Sequence, residues 1–149
     1  MGKSFYWYQH RRFGVLLAWG LGSVAAGLSV IGLRDPLRRG IAWQAVGWGA
    51  IDAGLAIFGR RGAAAAQNRL ENGEIGDEEQ EKAARGFRKI LFINTILDMA
   101  YVATGILIAT KAKSADRQGL GWGVALQGSF LLGYDGVLTW EVGEKWLND

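Results

Sequence analysis

Cysteine is missing from this chain, and histidine and proline occur once each, as His10 and Pro36. Without cysteine there is no disulfide, no thiol nucleophile, no Cys-ligated zinc and no iron–sulfur cluster. A single histidine rules out bis-histidine haem within one chain. His10 precedes Arg11 and Arg12, which suits a surface or headgroup position better than a proton relay. Nor is there an H-E-x-x-H, a G-x-S-x-G, a P-loop or a Cys–His pair. Two aspartates in apolar runs could form a protease dyad, but the flanking glycine pattern is absent: Met99 follows Asp98, and Ala53 and Gly54 follow Asp52. The chain reads as a non-enzyme, with no cofactor, metal or nucleic-acid partner expected.

Lys and Arg are absent from four long stretches, residues 13–33, 40–59, 90–110 and 119–140. Each is long enough to cross ~30 Å of hydrocarbon, which takes about 20 residues. Half the chain is hydrophobic, with 23 glycines and 7 tryptophans, a membrane composition rather than that of a soluble globule. Mean hydropathy is only slightly positive, because a charged central segment dilutes the apolar runs. A soluble four-helix bundle would need a polar face on every helix, and 13–33 has none. The expected fold is all-α, a single domain over residues 1–149: an integral membrane four-helix bundle built from two helical hairpins. The basic flank at MGKSFYWYQHRRF resembles a signal peptide. The apolar run behind it is too long and lacks an A-x-A-like site, so it reads as an uncleaved first span. Tyr6 stands where a myristoylation pattern needs Ser or Thr.

Charge sets the expected orientation. One side holds Lys3, Arg11, Arg12, Arg60, Arg61, Arg69, Lys82, Arg85, Arg88, Lys89 and Lys145. The other holds Arg34, Arg38, Arg39, Lys111, Lys113 and Arg117. Eleven cations against six place both termini and the central loop in the cytoplasm. The loops LRDPLRR and KAKSADRQ are short, with Pro36 in the first, where its missing N–H costs nothing. In the segment 60–89, AAAAQNRL continues the second helix and ENGEIG breaks it. GDEEQEKAARGFRK then restarts with Asp77 as N-cap, Gln80 three residues on, and favourable Glu78–Lys82 and Glu81–Arg85 pairs. This segment is either a solvated spacer or a docking site for a partner.

A weak internal repeat relates the two hairpins. SVAAGLSVIG matches YVATGILIAT at an offset of 78 residues. The second and fourth runs match at 79, aligning Trp43 with Trp122 and Gly49 with Gly128, or at 83, aligning Gln44 with Gln127 and Asp52 with Asp135. The strings NTxLDxxYVxxG, from Asn94, and QGSFLLxYD, from Gln127, resemble those of an uncharacterised bacterial family of small four-span membrane proteins, a domain of unknown function. The resemblance runs from the second span to the fourth. It implies a four-helix membrane fold and a bacterial source, and carries over no activity.

Polar residues recur at helical spacing inside three runs: Gln44, Trp48 and Asp52; Asn94, Asp98 and Tyr101; and Gln127, Leu131 and Asp135. All three acids fall in the inner half of the bundle, Asp52 and Asp98 roughly 12 Å from its edge. A bare carboxylate in hydrocarbon costs roughly 2.5–3.5 kcal/mol on insertion scales. Three remedies are open: a proton, a water-filled cleft reached by Arg11, Arg12, Arg60, Arg61 or Arg88, or a bound cation or cationic ligand. These residues therefore form the expected proton, cation or small-ligand site: Gln44, Trp48, Asp52, Asn94, Asp98, Tyr101, Gln127 and Asp135. Trp48 fits either a pocket lining or plain core packing. The competing reading is an accessory subunit in which the same groups are hydrogen-bonding glue between helices. Small residues at four-residue spacing, Ala45–Gly49–Ala53, Ala50–Gly54, Gly119–Gly123 and Ser129–Gly133, would admit close helix approach within the chain or in a homo-oligomer or membrane complex. Trp43 and Trp122 at one edge, with Trp7, Trp140 and Trp146 at the other, read as an aromatic belt.

Overall fold

The structure is a computed structural model and describes residues 4–147. Lys3 of the charge count and the Met1–Gly2 start of the lipidation pattern lie outside those residues. The described chain forms four helices: α1 (Phe5–Val30), α2 (Pro36–Glu71), α3 (Asp77–Lys111) and α4 (Ala115–Trp146). Among the described residues there is no strand. The short turns 31–35 and 112–114 make one end of the bundle, here the loop end. The chain ends and the α2–α3 turn make the other, the terminal end.

The helix boundaries follow local chemistry, with two corrections. Pro36 does not sit in the loop; it opens α2, where the first N–H has no partner to lose, and Asp35 caps it by accepting from Leu37 and Arg38 N–H. Asp77 is not the N-cap of α3: Gly76 is, and Glu79 rather than Gln80 reaches back to accept from Gly76 N–H at 3.1 Å. The one-residue shift follows from the turn, where Gly73 takes the left-handed conformation that glycine tolerates best (φ 74°). Gln80 instead accepts from Phe5 N–H and donates to Asp77. α2 continues beyond residue 59 as expected, and Arg85 pairs with Glu81.

α1 lies along α2, and α3 along α4, giving two antiparallel hairpins. Across the bundle the diagonals differ by end. α2 and α4 cross closely at the loop end, where Gly40 and Gly119 meet. At the terminal end α1 approaches α3, with Phe5 edge-on to Phe87 at 6.0 Å between ring centres.

The main hydrophobic core sits at the terminal end, built from Phe5, Tyr6, Tyr8, Ala84, Leu91, Leu138 and Val142. Leu70, Ile75 and Ala83, from the charged 60–89 segment, pack on it. That segment is therefore neither a bare spacer nor a free arm: its apolar face closes the core over the start of α1. Trp146 packs against this core, edge-on to Phe5 at 5.6 Å.

α1, α2 and α3 are long and apolar enough to cross a membrane. α4 falls short on composition, because glycines, Gln127, Tyr134 and Asp135 occupy its middle. Those polar side chains and most of those glycines turn inward, leaving Trp122, Leu126, Val137 and Trp140 on its outer face.

The packing also decides the repeat. Gly27 has Ala42 and Val46 against it; Gly105, 78 residues on, has Gly121 and Ala125, each 79 residues on. Likewise Gly49 packs on Ser23 and Val24, and Gly128 on Tyr101 and Val102. At the crossing, Gly40 faces the Asp116 carbonyl while Gly119 faces that of Leu37, a reciprocal contact as a two-fold axis requires. The register is 78 for the first helix of each hairpin and 79 for the second. The offset of 83, which paired Asp52 with Asp135, is not the one in the fold.

Candidate functional site

Asp52, Asp98 and Asp135 are all buried, 3%, 4% and 6% exposed. They come from three helices and lie within electrostatic range of one another. Asn94 lies near Asp135. One carboxyl oxygen each of Asp52 and Asp98 (Oδ2) is buried without a hydrogen-bond partner. Among the described residues no Lys or Arg pairs with any of the three acids. Of the five basic groups expected to reach them, four are engaged elsewhere: Arg12 on Glu141 at 2.6 Å, Arg60 on His10 Nε2 at 3.2 Å, Arg88 on the Thr139 carbonyl at 3.3 Å, and Arg11 over the Trp7 ring at 5.0 Å.

The repeat explains how these acids fit. With offsets of 78 and 79, Asp98 corresponds to Gly20, Asp52 to Leu131 and Asp135 to Ala56. Gly20 allows α1 to touch α2 backbone to backbone. Asp98 holds the corresponding position on α3 and is buried there. Each acid thus replaces a small or apolar residue of the other hairpin, and the acidic group breaks the internal symmetry.

The expected amides do not all join the acids. Gln127 is buried, but it faces α1: its Oε1 accepts from Trp19 Nε1 at 2.8 Å and its Nε2 donates to Ser23 Oγ at 3.3 Å. Gln44 packs its side chain on Gly123, two turns from Asp52 along α2. Tyr101 is 40% exposed and meets Trp48 edge-on at 5.3 Å. The space between Trp48, Tyr101, Val124, Gln127, Gly128 and Leu131 is too narrow for a water molecule. The eight predicted residues therefore divide into an acidic group of Asp52, Asn94, Asp98 and Asp135, a satisfied amide at Gln127, and a packed Gln44–Trp48–Tyr101 side.

Trp19 and Ser23 escaped the sequence reading because the apolar run 13–33 has no ionisable residue to draw attention to it. The signal available was their four-residue spacing on one helix face. Trp19 also stacks on Phe130 at 3.8 Å, Phe130 on Tyr134 at 5.8 Å, and the Tyr134 hydroxyl donates to the Arg12 carbonyl at 2.8 Å. The line ends at Glu141, which accepts from Tyr8, Arg12 and Lys145. Burial opposes the charge on Glu141, but those three donors outweigh it and hold its carboxyl below the usual range. Burial, then the bond to Glu141, pushes the Tyr8 hydroxyl well above its ordinary value.

Among the described residues, no three His, Asp or Glu side chains converge closely enough to hold a metal ion. No curated protein and no solved structure matches the chain. A family of unknown function matches residues 15–136, from within α1 to the start of the last turns of α4. That match begins earlier than the resemblance drawn from the second to the fourth run. The chain belongs to this family, DUF6992.

Proposed function

We propose that this is a polytopic membrane protein in which all four helices cross the bilayer and the Asp52–Asp98–Asp135 group binds protons. The crossing of α4 rests on its outer face. Trp122 and Trp140 stand 18 residues apart, about 27 Å along a helix, with Leu126 and Val137 exposed between them. That span matches the hydrocarbon thickness, with an interfacial tryptophan at each edge. The excess of cations at the terminal end supports placing both termini in the cytoplasm.

The observation that carries the proton reading is the pair of partnerless, buried oxygens on Asp52 and Asp98. Charge on both, with no cation beside them, is costly in a low-dielectric interior. A proton is the remedy that needs least room, and the space that Gln127 shares with Trp48 and Tyr101 does not admit even a water molecule. Acids that share protons in this way suit proton uptake, release or relay between the bundle and the terminal end. The test is infrared spectroscopy of the reconstituted protein across pH. The wild type should show a protonated-carboxyl band that titrates, and Asp98→Asn should diminish it. An unchanged band in a folded Asp98→Asn protein would falsify the reading.

The accessory-subunit alternative draws on Gln127, which is fully satisfied between helices, and on the outward charges of 60–89, including Glu78 and Lys82. It predicts that purification in mild detergent brings down a defined complex. Because the segment also closes the core, the variants to use are surface ones, Glu78→Lys and Lys82→Glu, rather than a deletion. A complex that survives both charge reversals, or a clean monomer from the start, counts against it.

A further inference from the structure

The terminal end carries a cleft between α3 and α4 of about 300 Å³, lined by Arg85, Arg88, Lys89, Phe92, Thr139 and Leu147. Its cations are unequally occupied. Arg85 pairs with Glu81, whereas among the described residues no carboxylate pairs with Arg88 or Lys89. Arg88 is nonetheless held in place. Its guanidinium lies over Gly143, where a Cβ would come within 3.0 Å of it, and its Nε donates to the Thr139 carbonyl. That leaves the remaining guanidinium N–H groups for another acceptor.

What lies along the helix from these cations is as informative. Phe92 is one turn from Arg88, and Ile96 and Met99 continue the same face, each about half exposed. Trp140, the exposed tryptophan next to Thr139, marks the same level on α4. The cleft therefore sits where an apolar outer stripe gives way to paired cations, the arrangement that suits a molecule with an anionic head and a hydrocarbon tail. Arginine and lysine side by side supply a directional fork and a point charge, a combination suited to phosphate oxygens.

We propose that this α3–α4 cleft seats the headgroup of an anionic phospholipid, with the phosphate on Arg88 and Lys89 and an acyl chain along Phe92 and Ile96. The proposal rests on the membrane reading but not on the proton reading.

Native mass spectrometry of the full-length protein in detergent tests it, with phosphatidylglycerol and phosphatidylcholine as probes. Phosphatidylglycerol should be retained in preference to phosphatidylcholine. Retention should weaken about fivefold for each cation removed in Arg88→Gln and Lys89→Gln, the equivalent of about 1 kcal/mol per charge. The loop-end pair Arg34→Gln and Lys113→Gln should leave it unchanged. Equal uptake of both lipids, or retention indifferent to Arg88→Gln and Lys89→Gln, would overturn the proposal. So would full displacement of the lipid by millimolar inorganic phosphate, which would make the ligand a free anion. If Arg88→Gln disturbs folding, Lys89→Gln alone carries the test, because its side chain is exposed. A chain that stays monodisperse without detergent would refute the membrane reading itself, whereas the infrared result on Asp98 bears on neither.

Discussion

Gly40 of α2 and Gly119 of α4 meet backbone to backbone where the two hairpins cross. A Cβ on Gly119 would lie 3.1 Å from Gly40 Cα and closer still to the Leu37 carbonyl; one on Gly40 would press on the backbone of Asp116 and Leu120. Neither obstacle is a flexible side chain, so neither can yield cheaply. This contact brings the second helices together at the loop end and leaves the first helices to meet at the other.

Gly119→Ala should accordingly destabilise the bundle by about 1–3 kcal/mol, the usual cost of overpacking. Gly22→Ala and Gly54→Ala are the controls, since nothing lies within 4 Å of an added Cβ at either. They should be neutral or gain up to about 1 kcal/mol, as alanine is the better helix former. Denaturation of the detergent-solubilised protein, followed by circular dichroism, ranks the three.

Gln127→Leu keeps the volume of the side chain but strands Trp19 Nε1 and Ser23 Oγ. Interhelical hydrogen bonds in membranes average about 0.6 kcal/mol each, so the loss should be on the order of 1 kcal/mol. The same denaturation assay reads it. A loss no greater than that of Leu126→Ala, on the outer face, would show that the amide contributes nothing between helices.

Glu141 and Tyr8 give the terminal end a dependence on pH. Glu141 is held below its ordinary value of 4.5, so its contribution is present above that value and is lost as pH falls through the depressed one. Tyr8 is raised above 10.0, so its contribution is complete below 10.0 and is lost as pH rises through the raised value. Melting curves should show the terminal end loosening on both flanks. Glu141→Gln should flatten the acid flank, and Tyr8→Phe the alkaline one.

Gly133 lies near the middle of the exposed face of α4, with nothing within 4 Å of an added Cβ. If that face meets lipid, Gly133→Arg should impair insertion by roughly 2.5–3.5 kcal/mol and Gly133→Leu should not. Glycosylation mapping in a membrane insertion assay distinguishes them. Equal insertion of the two variants would show that α4 does not cross the bilayer.

The turn at residues 72–76 is exposed on nearly every residue. A Glu-specific protease should therefore cut first at Glu74, where side chain and backbone are accessible. The two halves should stay associated on gel filtration, because the α2–α4 crossing and the Phe5 cluster both bridge the cut.

Much of this architecture could be read from the residues in order. Helices separate because apolar runs without Lys or Arg are bounded by Pro36, Gly73, Gly76 and clustered charge, all of which act locally. The acids were visible for the same reason: a carboxylate in an apolar run stands out whatever it touches. Partnership was not visible. Gln44 and Gln127 looked equivalent, yet one packs on a glycine and the other bonds to a tryptophan on a helix more than a hundred residues away in sequence.

The sequence by itself determined four helices, two hairpins, the charge asymmetry of the ends and three acids inside apolar runs, because these depend on side-chain chemistry and helical period. The tertiary structure decided the rest: the repeat register of 79 over 83, the packed role of segment 60–89, the Trp19–Gln127–Ser23 bond and the isolation of the acids from every arginine. Both candidate registers place the same face inward, so period could not separate them. Backbone contact at Gly40, Gly105 and Gly119 could, since glycine packing tolerates no shift of a full turn.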